Sequence, residues 1–239
     1  MDPWLTLGTA SALGLLHALE LDHMVAVSAF VAQRPSPRAA AGFGARWGIG
    51  HSAAVLLAGG ALLASGLRLP ARFDVYGEAA VGVMLIAVGA WAFVSARRMH
   101  LHPPPEHGDH AHLHMHHDHD QPHTHTHAHP HPHTHPHDDG HELGKGITVV
   151  GLMHGLAGTS GVVVLVPVTL MHSTAFGLGY LAAFGVGVTV AMSCYAMVAA
   201  TAIRGATRRS LERARQLAMG VGVAGAVVGL WWVVRAAQS

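Results

Sequence analysis

Apolar residues run along this chain in long uninterrupted blocks rather than alternating with polar ones. A helix that crosses a bilayer needs roughly 20 mostly apolar residues. Six stretches meet that need, at approximately 5–32, 42–66, 76–97, 147–171, 174–203 and 215–235. Between the third and fourth lies a segment of another kind, 100–143, made mostly of His, Pro, Asp and Thr and holding eighteen of the 23 histidines. Stretches such as His123-Thr124-His125-Thr126-His127 have no apolar face to bury, so this loop is expected to be disordered. The pattern predicts an all-α integral membrane protein in three parts. Residues 1–99 form a first transmembrane half, 100–143 a His-rich loop and 144–239 a second transmembrane half.

Composition sharpens this picture. The chain is 51% hydrophobic and 11% charged, against about 25% charged in soluble domains, which favours the membrane class. A net charge of +1 gives no reason to expect nucleic acid as a partner; the lipid bilayer is the expected surrounding. The single cysteine, Cys194, rules out an intrachain disulfide, a thiolate metal centre and a dithiol redox pair. Met1-Asp2-Pro3-Trp4 lacks the positive start of a signal peptide, and the first apolar run contains ionisable residues, so it reads as a retained helix.

Lys and Arg set the expected orientation, because cytoplasmic loops collect them. Arg34, Arg38, Arg46, Arg97, Arg98, Lys145, Arg204, Arg208, Arg209, Arg213 and Arg215 fall on one side, and only Arg68, Arg72 and Arg235 on the other. With six spans, both termini are expected outside and the His-rich loop in the cytoplasm.

The two halves echo one another. Gly14-Leu15-Leu16-His17 matches Gly151-Leu152-Met153-His154, and Gly48-Ile49-Gly50 matches Gly185-Val186-Gly187, both at an offset of 137; Gly89-Ala90-Trp91 matches Gly229-Leu230-Trp231 at 140. Three spans per half is an odd number, so the second half is expected to be inverted in the membrane. Inverted repeats are a common transporter plan, with substrate held near the midplane.

Ionisable side chains in the bilayer core cost roughly 2.5–3.5 kcal/mol or more each, so they are functional candidates by default. The first predicted span carries His17, Glu20, Asp22 and His23, the second His51 and the fourth His154; Glu78 lies near the end of the third. Imidazole suits nickel, cobalt, zinc and copper, and carboxylates add charge compensation. On a straight helix His17, Glu20 and His23 drift by about 60° per step and Asp22 points elsewhere. For His17 and Asp22 to share an ion, the helix must break near residues 17–23, as helices at transporter sites commonly do.

His17-Ala18-Leu19-Glu20-Leu21-Asp22-His23 fits H-x4-D-H, and Gly50-His51-Ser52 follows on the next span. This pair resembles the signature of the nickel/cobalt transporter family, and the compact layout is similar to its six-span members, which include efflux types with a His-rich loop and urease-accessory membrane proteins. The resemblance implies that His17, Asp22, His23 and His51 select and pass the metal. Glu20 then assists by charge or proton exchange, and His154 closes the site from the second half. Classical uptake members carry acidic motifs in later helices; here the corresponding stretch, His154 to Gly161, has no acid. The expected function is transport of nickel or cobalt, with uptake favoured and efflux by proton exchange the alternative. The metal is cargo, and no resident cofactor or enzymatic activity is expected. The His-rich loop reads as a cytoplasmic metal reservoir or sensor, and a cytoplasmic metallochaperone or metalloenzyme-maturation protein is an expected partner.

Other readings compete. Zinc stays open as cargo. A haem protein would pair His17 or His23 with His51 or His154, leaving the acids unexplained. Gly158-Thr159-Ser160-Gly161 matches the G-x-S-G of six-span serine proteases, but the spans after it lack a histidine base. No G-x-x-x-x-G-K-[ST] nucleotide motif occurs. The driving force is then an ion gradient or the membrane potential, which favours influx of a 2+ ion by about 4.6 kcal/mol per 100 mV, twice the single-charge value.

Overall fold

A computed structural model describes residues 2–33, 36–66, 72–98, 100–101, 113–114, 139–157, 171, 173–207 and 210–239. Among them are seven helices: α1 (Pro3–Ala18), α2 (Leu21–Val31), α3 (Pro37–Ser65), α4 (Phe73–Arg97), α5 (Asp139–Ala157), α6 (Thr174–Thr207) and α7 (Leu211–Gln238). The one other pairing among the described residues is a two-residue antiparallel ladder, His100–Leu101 against Leu113–His114. Among the described residues, four helical stretches are long and apolar enough to cross a membrane: Pro37–Ser65, Val75–Arg97, Thr174–Ala206 and Glu212–Gln238. The bent pair α1 and α2 makes a fifth when counted as one span. The chain is a helical membrane protein.

The predicted spans 42–66, 76–97, 174–203 and 215–235 fall on α3, α4, α6 and α7, each of which starts or ends up to five residues beyond the prediction. The excess is mostly polar or small, as in Pro37-Arg38 and Glu212-Arg213; an apolar run marks the membrane part of a helix, not its wetted turns. The single span expected at 5–32 is two helices that meet at 62°. Helix α5 begins at Asp139, so residues 139–143, assigned to the loop, are helical. The rest of the span expected at 147–171 lies outside the described residues beyond Ala157, except Met171. Most of the His-rich loop lies outside them too.

Local chemistry explains the helix ends. Asp2 caps α1, its carboxylate accepting from the Trp4 N–H at 2.9 Å, and Pro3 occupies the first turn, where its missing N–H costs nothing. Pro37 opens α3 in the same way. Gly66 closes it at φ +65°, with its N–H bonded to the Leu62 carbonyl. That left-handed cap favours glycine.

Among the described residues, the four extensive packing pairs each join a helix before the His-rich loop to one after it: α4 with α7, α3 with α6, α1 with α6, and α3 with α5. Glycine sets how closely they approach. A Cβ at Gly14 would strike the Phe184 carbonyl, and one at Gly151 the Trp47 carbonyl. A Cβ at Gly50 would strike Thr148 and Leu152, and one at Gly187 Ser11 and Leu15. Gly48 faces Thr189, and Gly185 faces Ser52. Every one of these contacts maps onto its counterpart when 137 is added to one residue and subtracted from the other. Gly82 on Gly229 and Gly222 on Gly89 do the same at 140. Small residues let helix backbones touch in lipid, where side-chain hydrophobicity gives no drive to associate.

Candidate metal centre

The break between α1 and α2 brings the ionisable residues together. Helix α1 ends one residue after His17. The N–H groups of Leu19 and Glu20 then bond to the Leu16 and His17 carbonyls at 3.1 and 3.0 Å. Glu20 is extended, with ψ 150°, and α2 starts at Leu21. Asp22 therefore sits in the first turn of α2, where the helix dipole favours a negative charge. The chain changes direction by 62°, and Asp22 no longer points away from His17's neighbours. No glycine or proline lies between residues 15 and 34, so the break is not imposed by backbone-breaking residues; α1 packs on α6, and α2 on α7, α6 and α4.

His23, His51 and His154 are buried to 1% exposure or less, and the His17 side chain to 9%. The ring centroids of His17 and His23 lie 4.4 Å apart, those of His17 and His51 5.4 Å, and those of His23 and His51 5.4 Å. One donor atom from each of these three residues falls within 4.8 Å of the others. Asp22, His23 and His154 form a second such group. All six residues expected from sequence are thus in one neighbourhood, with different parts. Glu20 stands at the edge, its side chain 46% exposed, and accepts from His17 Nδ1 at 2.9 Å. Asp22 is buried, and both its oxygens are engaged. Oδ1 accepts from His23 Nδ1 at 2.8 Å and from the His23 N–H at 3.0 Å, and Oδ2 accepts from His154 Nε2 at 2.9 Å.

A carboxylate only accepts hydrogen bonds, so each ring nitrogen bonded to one carries a proton, and the other nitrogen of that neutral ring carries a lone pair. His17 and His23 are therefore held with Nε2 as the lone-pair atom. His17 Nε2, His23 Nε2 and both ring nitrogens of His51 are buried with no hydrogen-bond partner among the described residues. Orienting a ligand histidine by a carboxylate on its far nitrogen is the usual outer shell of a metal site. The set offers three imidazole donors with two carboxylates behind them.

Two aromatic residues that the sequence reading passed over wall this cluster. Trp47, fully buried, stacks on His51 at 5.1 Å and 14° and meets His23 edge-on at 5.0 Å. Phe184 lies 5.5 Å from His17. Trp47 stands one helical turn before His51, and Phe184 is its counterpart at the 137 offset; extending the repeat around the histidines would have found both. Ser52, beside His51, donates to the Gly185 carbonyl at 3.1 Å and so serves the α3–α6 packing. Glu78, buried at 7%, pairs with Arg235 at 3.3 Å. The stretch Gly158–Gly161 and His172 lie outside the described residues.

No family model matches the chain, and no solved structure matches it. The urease accessory protein UreH of Bacillus sp. (strain TB-90) is 31% identical over 196 residues, which cover 79% of this chain and 72% of that protein. Identity over that share of both chains places this protein in the family of the urease accessory protein UreH.

Proposed function

We propose that the protein carries nickel or cobalt across the membrane, with uptake as the direction. The observation that supports this reading most is the buried trio of lone-pair nitrogens on His17, His23 and His51, two of them oriented by carboxylates. A hydrated divalent ion entering a low-dielectric core must exchange water for other donors and have its charge balanced. Imidazoles supply the donors. Asp22 and Glu20, each one ring away, supply two negative charges against the two positive charges of the ion. The name of the UreH relative adds weight to nickel, because it places that relative in the service of urease; delivery to a cytoplasmic metallochaperone or maturation protein fits the same context.

In this reading the chain has six spans in two inverted three-helix halves, 1–99 and 144–239. Both termini are outside, and the His-rich segment is a cytoplasmic reservoir. The reciprocal glycine contacts at offsets of 137 and 140 support the repeat. Influx down the membrane potential needs no further energy source.

The test is cellular accumulation of radiolabelled nickel and cobalt by the native chain, His17→Ala and Asp22→Asn. The native protein should raise cell metal, and both variants should lose at least about tenfold of that gain, the lower end of what outer-shell changes cost at metal sites. Metal lowered by the native protein would reverse the direction to efflux. No change either way, with the protein present in the membrane, would remove nickel and cobalt and leave zinc.

A further inference from the structure

We propose that the buried cluster is two overlapping metal stations that share His23, and that the ion passes from His17, His23 and His51 to Asp22, His23 and His154. This rests on the transport reading above and assigns the order of events within it. Each of the two groups brings its donor atoms within 4.8 Å, and His23 alone belongs to both. The His23 ring lies 4.4 Å from His17 on one side and 4.2 Å from His154 on the other, whereas His51 and His154 are 6.3 Å apart. One ion therefore has two compact donor sets, not one set of five.

The two sets differ in readiness. In the first, His17 Nε2, His23 Nε2 and the His51 nitrogens have no partner among the described residues, so an ion displaces nothing. In the second, His154 Nδ1 also lacks a partner among the described residues, but the two ring nitrogens that face Asp22 hold protons bonded to its oxygens, and an ion between the three residues must displace those bonds. The first set is the receiving station and the second the releasing one. In the transfer, the ion leaves His17, His51 and His23 Nε2 and bonds to Asp22, His23 Nδ1 and His154 Nε2, while the protons that those two nitrogens shared with Asp22 move to His23 Nε2 and His154 Nδ1.

The fold gives His154 the rank of His17's counterpart. The two are 137 residues apart. His17 packs against Phe184 at 5.5 Å, and His154 against Trp47 at 5.6 Å, and these aromatics are themselves 137 apart. One station leans on α1 and the other on α5, which belong to opposite halves of the chain.

Trp47 provides a local probe. With Trp4, Trp91, Trp231 and Trp232 changed to Phe in the full chain, and transport by that background checked against the native protein, Trp47, which stacks on His51, reports metal in the buried cluster through its emission. Cobalt, alone in detergent solution, should quench it. His17→Ala should weaken quenching and transport together, by at least about tenfold. His154→Ala should leave the half-quenching concentration within about threefold of the background while transport falls at least about tenfold. If His154→Ala loses quenching as His17→Ala does, the donors form one joint site and the two-station order is wrong; it is also wrong if His154→Ala transports normally. If the background protein itself is not quenched, the metal reading falls with it. His154→Asn, which keeps a donor for Asp22, is judged by the same outcomes and replaces His154→Ala if the latter does not fold.

Discussion

Gly48→Ala tests whether backbone contact between α3 and α6 holds the histidines in place. A Cβ at Gly48 would sit 2.6 Å from Thr189 Cα and 3.0 Å from its Oγ1. Ordinary carbon contacts lie at about 3.5–4.0 Å, so the two helices must part by about 1 Å. The obstacle is main chain on a packed helix, which cannot swing aside. That displacement would stretch the bond from Ser52 Oγ to the Gly185 carbonyl, now 3.1 Å, beyond hydrogen-bonding range. It would also carry His51, three residues along α3, away from His17 on α1, which packs on α6. Overpacking costs about 1–3 kcal/mol, and replacing glycine by alanine within a helix returns up to about 1 kcal/mol. The net loss is about 0–2 kcal/mol, and the difference from a glycine-to-alanine change with no clash is about 1–3 kcal/mol, or about 2–12 °C in Tm for a chain of this size. Gly42→Ala is the control: it lies on the same helix with nothing within 4 Å, so only the helical gain remains. Thermal unfolding in detergent and metal accumulation in cells measure the two effects. Equal Tm values for Gly48→Ala and Gly42→Ala, with accumulation unaffected in both, would refute the backbone contact and the positioning argued from it.

Other outcomes follow from the same geometry. Trp47→Phe keeps a ring against His51 and should retain most transport; Trp47→Ala removes the wall and should cost about 3–5 kcal/mol of stability, as large-to-small core changes do, visible as an unfolding transition at lower temperature. Glu78→Gln should change stability by about 0–1 kcal/mol and leave accumulation intact, because Arg235 is 51% exposed and the pair stands apart from the histidines; a loss of transport would mean that Glu78 takes part in the path. Removing residues 102–138 should reduce metal retained by cells without abolishing transport, and unchanged retention would end the reservoir role.

Much of the helix layout was legible because a bilayer demands long apolar runs. The histidines could be picked out for the same reason, as costly residues in such runs. What was not legible was which way each helix faces. In a soluble bundle the buried face is the apolar one, but here both faces are apolar. Ile49, Val186 and Trp231 are more than half exposed, while Gly48, Gly50 and Gly151 lie buried at contacts. Burial follows smallness, and the repeated glycines carried that signal without naming their partners. The break at Leu19–Glu20 was required by the chemistry of His17 and Asp22, not marked by a glycine or proline, so its place could be bounded but its 62° angle could not. Spacing on a straight helix put Glu20 on the stripe of His17 and His23 and pointed Asp22 elsewhere; the turn reverses this and places Glu20 at the edge and Asp22 at the centre.

The cross-pairing of helices has a consequence for biosynthesis. The extensive contacts of α1, α3 and α4 are all made with α5, α6 or α7, which leave the ribosome later. His17, His23 and His51 enter the bilayer before Asp22 has His154 to hold and before Phe184 is there to wall His17. A truncated product ending in the His-rich segment would thus expose glycine-notched helices to lipid with nothing to fill the notches. Such a fragment is a substrate for quality-control proteolysis, and the two halves, expressed as separate chains, should survive only when made together.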